Sequence, residues 1–174
     1  ADMIQEGIGG KVVRFHVLAN SDSEADQTLK LAVRDRVLQE YGDLLETCTS
    51  KEETLAALKN AQQEISETAE AEVLAQGYTY PVRVSLVREE FPFKKYGDLI
   101  FPAGVYDALR IEIGEAKGKN WWCVLYPQMC YVDAAWGYST EESHVRLQNT
   151  LTKEEFLVVS AMEQKKVTPK IKCR

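Results

Sequence analysis

No apolar run in this 174-residue chain approaches the roughly 20 residues that cross a bilayer as a helix, and no membrane insertion of the chain is expected. There is no basic block either. Lys and Arg number 21 against 27 Asp and Glu, for a net charge of −6. That balance makes nucleic acid and anionic lipid surfaces poor partners. Histidine is almost missing, with His16 and His144 alone, which leaves acid–base chemistry little to draw on. The glycines form no GxxxxGK[ST] phosphate loop, and the acidic stretch from Asn20 to Glu24 lacks the glycine and terminal Glu of a calcium loop. The four cysteines lack zinc-knuckle spacing. No catalytic set, no metal site and no cofactor are expected, and no internal repeat or low-complexity tract breaks the chain.

What is present suits one domain with appendages. Hydrophobic residues make up 45% of the chain, enough for a core that does not depend on cysteine bridges. Residues 1–10 are expected to be a disordered tail or an expression remnant, 11–133 a single α+β domain, and 134–174 a C-terminal helix and tail packed on the same domain. Lys11 to Ala19 reads as a strand with Val13, Phe15 and Val17 on one face. Arg14 and His16 are expected on a polar, half-buried face. Ser23 followed by Asp26 opens a helix carrying Leu29, Val33, Val37, Tyr41 and Leu44. Ser50 to Glu53 opens a second, with Leu55, Leu58, Ala61, Ile65, Ala69 and Val73 on one stripe, ending near Gly77.

From Tyr78 the pattern turns to β. Strands are expected at 82–90, with a slip near Val87, at 106–114 and at 121–126, as an antiparallel meander with a turn at 115–120. Thr152 to Glu155 opens a short helix through Met162. The fold expected is an α+β sheet, antiparallel or mixed, of about four strands. Two long amphipathic helices cover one face and a short helix follows.

The densest signal is Gly118 to Cys130. Trp121 and Trp122 are adjacent, so on a strand they point to opposite faces and only one can enter the core. Cys123 and Cys130 flank a Tyr126-Pro127-Gln128 turn. They are either a bridge formed outside the reducing cytosol or two reduced core thiols. Cys48 and Cys173 could pair or stay free. A Cys123–His16 pair is the sharpest hydrolytic constellation that can be drawn, and no local signature supports it. Arg14, His16, Asn20, Asp22, Asp26, Lys30 and Arg34 form either one polar patch or a network of caps and ion pairs.

These residues resemble a known family. Arg14 through Ser23, Asp26-Gln27-x-Leu29-Lys30 and Val33-Arg34-Asp35 look like the opening signature of the stage II sporulation protein R family. The likeness continues at Tyr96-Gly97-Asp98, Phe101 to Gly104, Tyr106, Ala108 to Ile111, Ile113 to Glu115, Lys117-Gly118 and Asn120 to Val124. It ends with Pro127 to Cys130 and Val132-Asp133. It spans roughly residues 12–133 and fades after Ala134.

The resemblance implies a sporulation signalling protein secreted from the forespore into the intermembrane space, whose export segment is not within this chain. It implies one partner, a membrane-embedded aspartic protease that processes pro-sigma-E, and activation by contact. Partner-binding candidates are Arg14, His16, Asn20, Asp22, Asp26, Arg34, Arg110, Gly118, Asn120, Trp121 and Trp122. The alternatives are an extracytoplasmic hydrolase or a peptidoglycan-binding module.

Overall fold

A strand buried on both faces must lie inside a sheet, and the strand Val13–Leu18 is such a strand. In the computed structural model, residues 2–96, 99–130 and 141–160 are described. The chain runs α1 (Asp2–Gly9), β1 (Val13–Leu18), α2 (Glu24–Glu46), α3 (Lys51–Ala75), β2 (Val82–Phe91), β3 (Lys94–Tyr96), β4 (Leu99–Phe101), β5 (Gly104–Ile113), β6 (Asn120–Tyr126) and α4 (Glu141–Thr150). A last helix, α5, covers 153–160. The fold is α+β. Its main sheet is mixed and four-stranded in the order β2-β5-β1-β6, and β3-β4 is a separate hairpin.

The expected meander is therefore corrected. β1 lies between β5 and β6, parallel to β5 (Phe15↔Leu109, Val17↔Ile111) and antiparallel to β6 (His16↔Trp122). The turn at 115–120 is no hairpin turn. It is a crossover that carries the chain past the end of β1. β2 keeps one register from Val82↔Ile113 to Phe91↔Gly104, so the slip near Val87 is absent. Leu86 and Val87 simply pack against opposite faces.

The two long helices arise as their caps predict. Ser23 Oγ accepts from Asp26 N–H, and Ser50 Oγ accepts from Glu53 N–H, each at 3.1 Å. At α5 the box is reciprocal. Thr152 N–H donates to Glu155 Oε1 at 2.9 Å and Glu155 N–H to Thr152 Oγ1 at 3.2 Å. Gly77, at φ 91°, follows α3 in the left-handed region that ends helices. α2 and α3 bury Leu29, Val33, Val37, Leu45, Leu58, Ile65 and Val73 against Phe15, Val17, Leu109 and Ile111. Leu44, expected on that stripe, is 46% exposed, and Leu45 takes its place in the core.

The opposite face is covered in part. Ile8, Leu99, Phe101, Leu147, Leu151 and Val159 pack there with Phe91, Tyr106, Ala108 and Val124. The expected loose tail at 1–10 is thus corrected: Asp2–Gly9 is helical and Ile8 is fully buried. Lys11 pairs with Glu155 at 2.7 Å and ties this segment to α5. The domain boundary at 133/134, Met162 and Cys173 lie outside the described residues.

Cys123 and Cys130 form a disulfide with Cα atoms 5.3 Å apart, while Cys48 is free. The bridge spans a sequence separation of 7. Closing so short a loop removes about 2.5 kcal/mol of unfolded-state entropy. The double variant Cys123→Ser, Cys130→Ser should lose stability of that order in urea unfolding at pH 7. A change near zero would show that the bridge adds no constraint.

Candidate functional site

β1 sends Arg14 and His16 to the face opposite the long helices, and neither is half-buried as expected. Arg14 is fully buried and His16 is 4% exposed. The guanidinium carbon of Arg14 lies 4.8 Å from the ring centres of Phe91 and Tyr106, and 5.6 Å from those of Phe101 and Trp122. Cations stack favourably on such rings, more so when desolvated. What reads as a polar strand face in sequence is an aromatic cage.

Beyond the cage the same face is polar and half open. His16 stacks flat on Trp122, ring centres 4.8 Å apart and planes 9° apart, and meets Phe91 edge-on at 5.1 Å. Its Nδ1 lies 3.3 Å from Asn120 Oδ1 and its Nε2 3.5 Å from Glu89 Oε1. Arg110 Nη1 donates to Glu89 Oε2 at 2.8 Å, and Arg110 Nε lies 3.5 Å from Glu112 Oε1. Burial pushes the His16 pKa from 6.5 down to about 4. The Asn120 hydrogen bond opposes that shift, and the charges of Arg110 and Arg14 add to it. At neutral pH the imidazole is uncharged.

The loop candidates do something else. Asp26 accepts from Ser21 Oγ at 2.6 Å, Asn20 Nδ2 at 2.9 Å and the Tyr80 hydroxyl at 2.9 Å. Led by the Ser21 and Asn20 bonds, these hold its carboxyl below the ordinary range. Asn20 Oδ1 accepts from Glu115 N–H and Asp22 Oδ1 from Lys119 N–H, both at 2.8 Å. Gly118 N–H donates to Ala19 C=O at 2.9 Å, and a Cβ on Gly118 would run into the Ser21 carbonyl. Asn20, Asp22, Asp26 and Gly118 therefore lock the crossover loop onto the end of β1.

Arg34 and Trp121 stand on the long-helix side. Arg34 lies 4.8 Å over the Trp121 ring, and Trp121 meets Phe15 edge-on at 5.8 Å. The candidates thus divide in three, and of the two alternatives the loop residues follow the network of caps and hydrogen bonds rather than one patch. Arg14, His16, Arg110, Asn120 and Trp122 share one face, the four loop residues form a lock, and Arg34 with Trp121 lies across the sheet. Both tryptophans are half-buried, so neither is simply outward.

Cys123 packs with Phe15 in the helix-side core while His16 faces the other way. The hydrolytic pair is not assembled, and a bridged Cys123 carries no thiolate. Among the described residues no group of three or more His, Cys, Asp or Glu could hold a metal ion. Sequence reading missed Glu89, Glu112 and Phe91. Their one signal is alternation along β2 and β5, which puts them on the face of Arg110.

A model of the stage II sporulation protein R family matches residues 9–136. The chain belongs to that family. It is also 36% identical over 135 residues to stage II sporulation protein R of Bacillus subtilis strain 168. That alignment covers 78% of this chain, which spans about 60% of the relative's length. No solved structure matches. Family membership places the chain among sporulation proteins, and the matched span holds every residue of the cage, the open face and the loop lock.

A histidine held neutral below its unfolded pKa weakens the fold in acid. The unfolded chain takes up the proton between pH 6.5 and about 4 while the native chain does not. Stability should fall by about 3 kcal/mol across that window. His16→Gln should flatten this part of the profile in urea titrations at pH 7, 5.5 and 4.5. An unchanged slope would place the proton uptake elsewhere.

Gly118→Ala should cost about 3 kcal/mol, through the clash with backbone. Gly77→Ala meets nothing and should cost about 1 kcal/mol, for its left-handed φ alone. Reversal of that order in urea unfolding would refute the loop lock.

Proposed function

We propose that this chain is a signalling protein of sporulation, secreted from the forespore, that switches on a membrane-embedded aspartic protease by direct contact. The protease in turn processes pro-sigma-E. The observation that carries the reading is convergence. Within a span matched to the family, His16, Arg110, Asn120 and Trp122 come from three adjacent strands to one half-open face. The Cys123–Cys130 bridge suits an oxidising compartment. No described helix is long and apolar enough to cross a membrane.

The face has the composition of an interaction hot spot. Tryptophan and arginine dominate such sites, at about 2 kcal/mol or more each. Here both are held before binding. Trp122 is wedged against His16 and Phe91, and Arg110 is fixed by Glu89. Little side-chain freedom is left to lose on contact. A ligand shifts a protease only by preferring its active state, and a nearly complete switch needs about 5.5 kcal/mol of preference. Two or three such residues reach that magnitude.

The test is reconstitution of the purified chain with the membrane protease and its pro-sigma substrate. Wild type should stimulate cleavage. Arg110→Ala and Trp122→Ala should each raise the concentration for half-maximal stimulation by about 30-fold, with the circular dichroism spectrum retained. Absence of stimulation by wild type would overturn the reading. So would loss of activity in Cys123→Ser or His16→Ala toward peptidoglycan, which would mark a hydrolase.

A further inference from the structure

Sheets usually guard their edges with charge, proline or a covering element. The two edges of this sheet are guarded unequally. β2, at one edge, carries Arg83, Arg88, Glu89 and Glu90. β6, at the other, reads Asn-Trp-Trp-Cys-Val-Leu-Tyr and holds no charge. Its backbone direction follows from one bond. Val124 C=O accepts from Met129 N–H at 3.1 Å, so its main-chain groups point away from β1. In an antiparallel ladder that orientation recurs at every second residue. The register between β1 and β6 is unbroken from Arg14↔Val124 to Leu18↔Asn120. Trp122 and Asn120 therefore also turn N–H and C=O to the outer side. Among the described residues no strand pairs with them there.

We infer that the edge from Asn120 to Trp122 receives an extended, acidic segment of a partner polypeptide as an added strand. The inference rests on the contact reading above and specifies its geometry. Strand addition takes affinity from main-chain hydrogen bonds and specificity from alternate side chains. The added strand would pass Trp121 on the helix side and Trp122 on the cage side, so each tryptophan would meet its own set of partner residues.

The acidic character follows from the surroundings. In a chain of net charge −6, this edge is bordered by cations. Arg34 covers Trp121 and pairs with Asp35 at 2.7 Å, buried Lys30 donates through Nζ to Lys119 C=O at 3.1 Å, and Lys119 is exposed while its N–H donates to Asp22, so the cations outnumber the carboxylates by three to two. A second copy of the chain fits badly. Two-fold antiparallel pairing centred on Trp122 would set each Asn120 against the other copy's Val124, whose carbonyl is already taken. It would also bring together two chains of like net charge.

The test is hydrogen exchange of the intact chain, free and in complex with the purified protease, with urea and sedimentation controls. The amides of Asn120 and Trp122 should exchange quickly in the free monomer and be protected in the complex. Asn120→Pro should weaken binding about tenfold more than Asn120→Ala, because only proline removes the outward N–H. Lys119→Glu should weaken it as well, and by more at low salt. The inference is overturned if the edge amides exchange alike in both states, or if the free chain dimerises through them. If the chain still stimulates cleavage in those cases, the contact reading stands with a different geometry. If it does not stimulate cleavage at all, the contact reading has failed first.

Discussion

A guanidinium sealed from water is the constraint on which the rest of this structure turns. Arg14 extends from β1 and is ringed by Phe91 of β2, Phe101 of β4, Tyr106 of β5 and Trp122 of β6. One side chain thus touches every other strand of the main sheet and the hairpin laid over it. A buried charge is costly unless its surroundings stabilise it, and four ring faces within 6 Å do part of that. The arrangement also fixes register. Slipping β1 by one residue would drive Arg14 into the aliphatic core under α2 and α3 and leave Phe15 in the cage. Lysine could not substitute, because its compact ammonium cannot lie flat between rings as the planar guanidinium does.

The open face inherits its order from this cage. Trp122 is shared, with one neighbour the guanidinium and another the flat ring of His16. His16 in turn stands between Asn120 and Glu89, and Glu89 holds Arg110. Rigidity passes from the apolar half of the face to the polar half through contacts of about van der Waals length. A surface built so has few alternative rotamers, which is the condition for contact residues to retain their energy on binding. The same packing explains why the imidazole stays neutral: the groups that hold it also exclude the water a charge would need.

Much of this was legible in the sequence, and the failures share a cause. The helices were readable because their signals are local. Ser23, Ser50 and Thr152 cap where their spacing says, and the stripes of α2 and α3 bury nearly as written. Strand positions were readable from alternation. Strand order was not, because no residue near β5 or β6 records that β1 inserts between them. Arg14 and His16 misled for a related reason. Polar letters signal exposure only when nothing apolar converges on them, and Phe91, Phe101 and Tyr106 lie some eighty residues away. Residues 1–10 were expected to be a tail. Ile4 and Ile8, four apart and both turned to the second core, were the signal that should have counted.

The sheet's asymmetry links fold to function. Its helix-covered face is apolar and packed under α2 and α3, with half-buried Trp121 at its β6 edge. The other face is divided, and the division falls where Arg14 gives way to His16. Among the described residues, apolar cover from α1, the β3-β4 hairpin, α4 and α5 ends there, and charged groups begin. Were that face wholly covered, the chain would have no rigid polar surface to offer. Were it wholly open, Arg14 would be hydrated and the cage would lose its reason to close. The disulfide belongs to the same logic. It folds residues 127–130 back beside Val124 and stops the outer edge of β6 at that point. Among the described residues the end nearest Trp122 and His16 is left without a paired strand, so backbone and side chains that could meet a partner are gathered at one corner of the sheet.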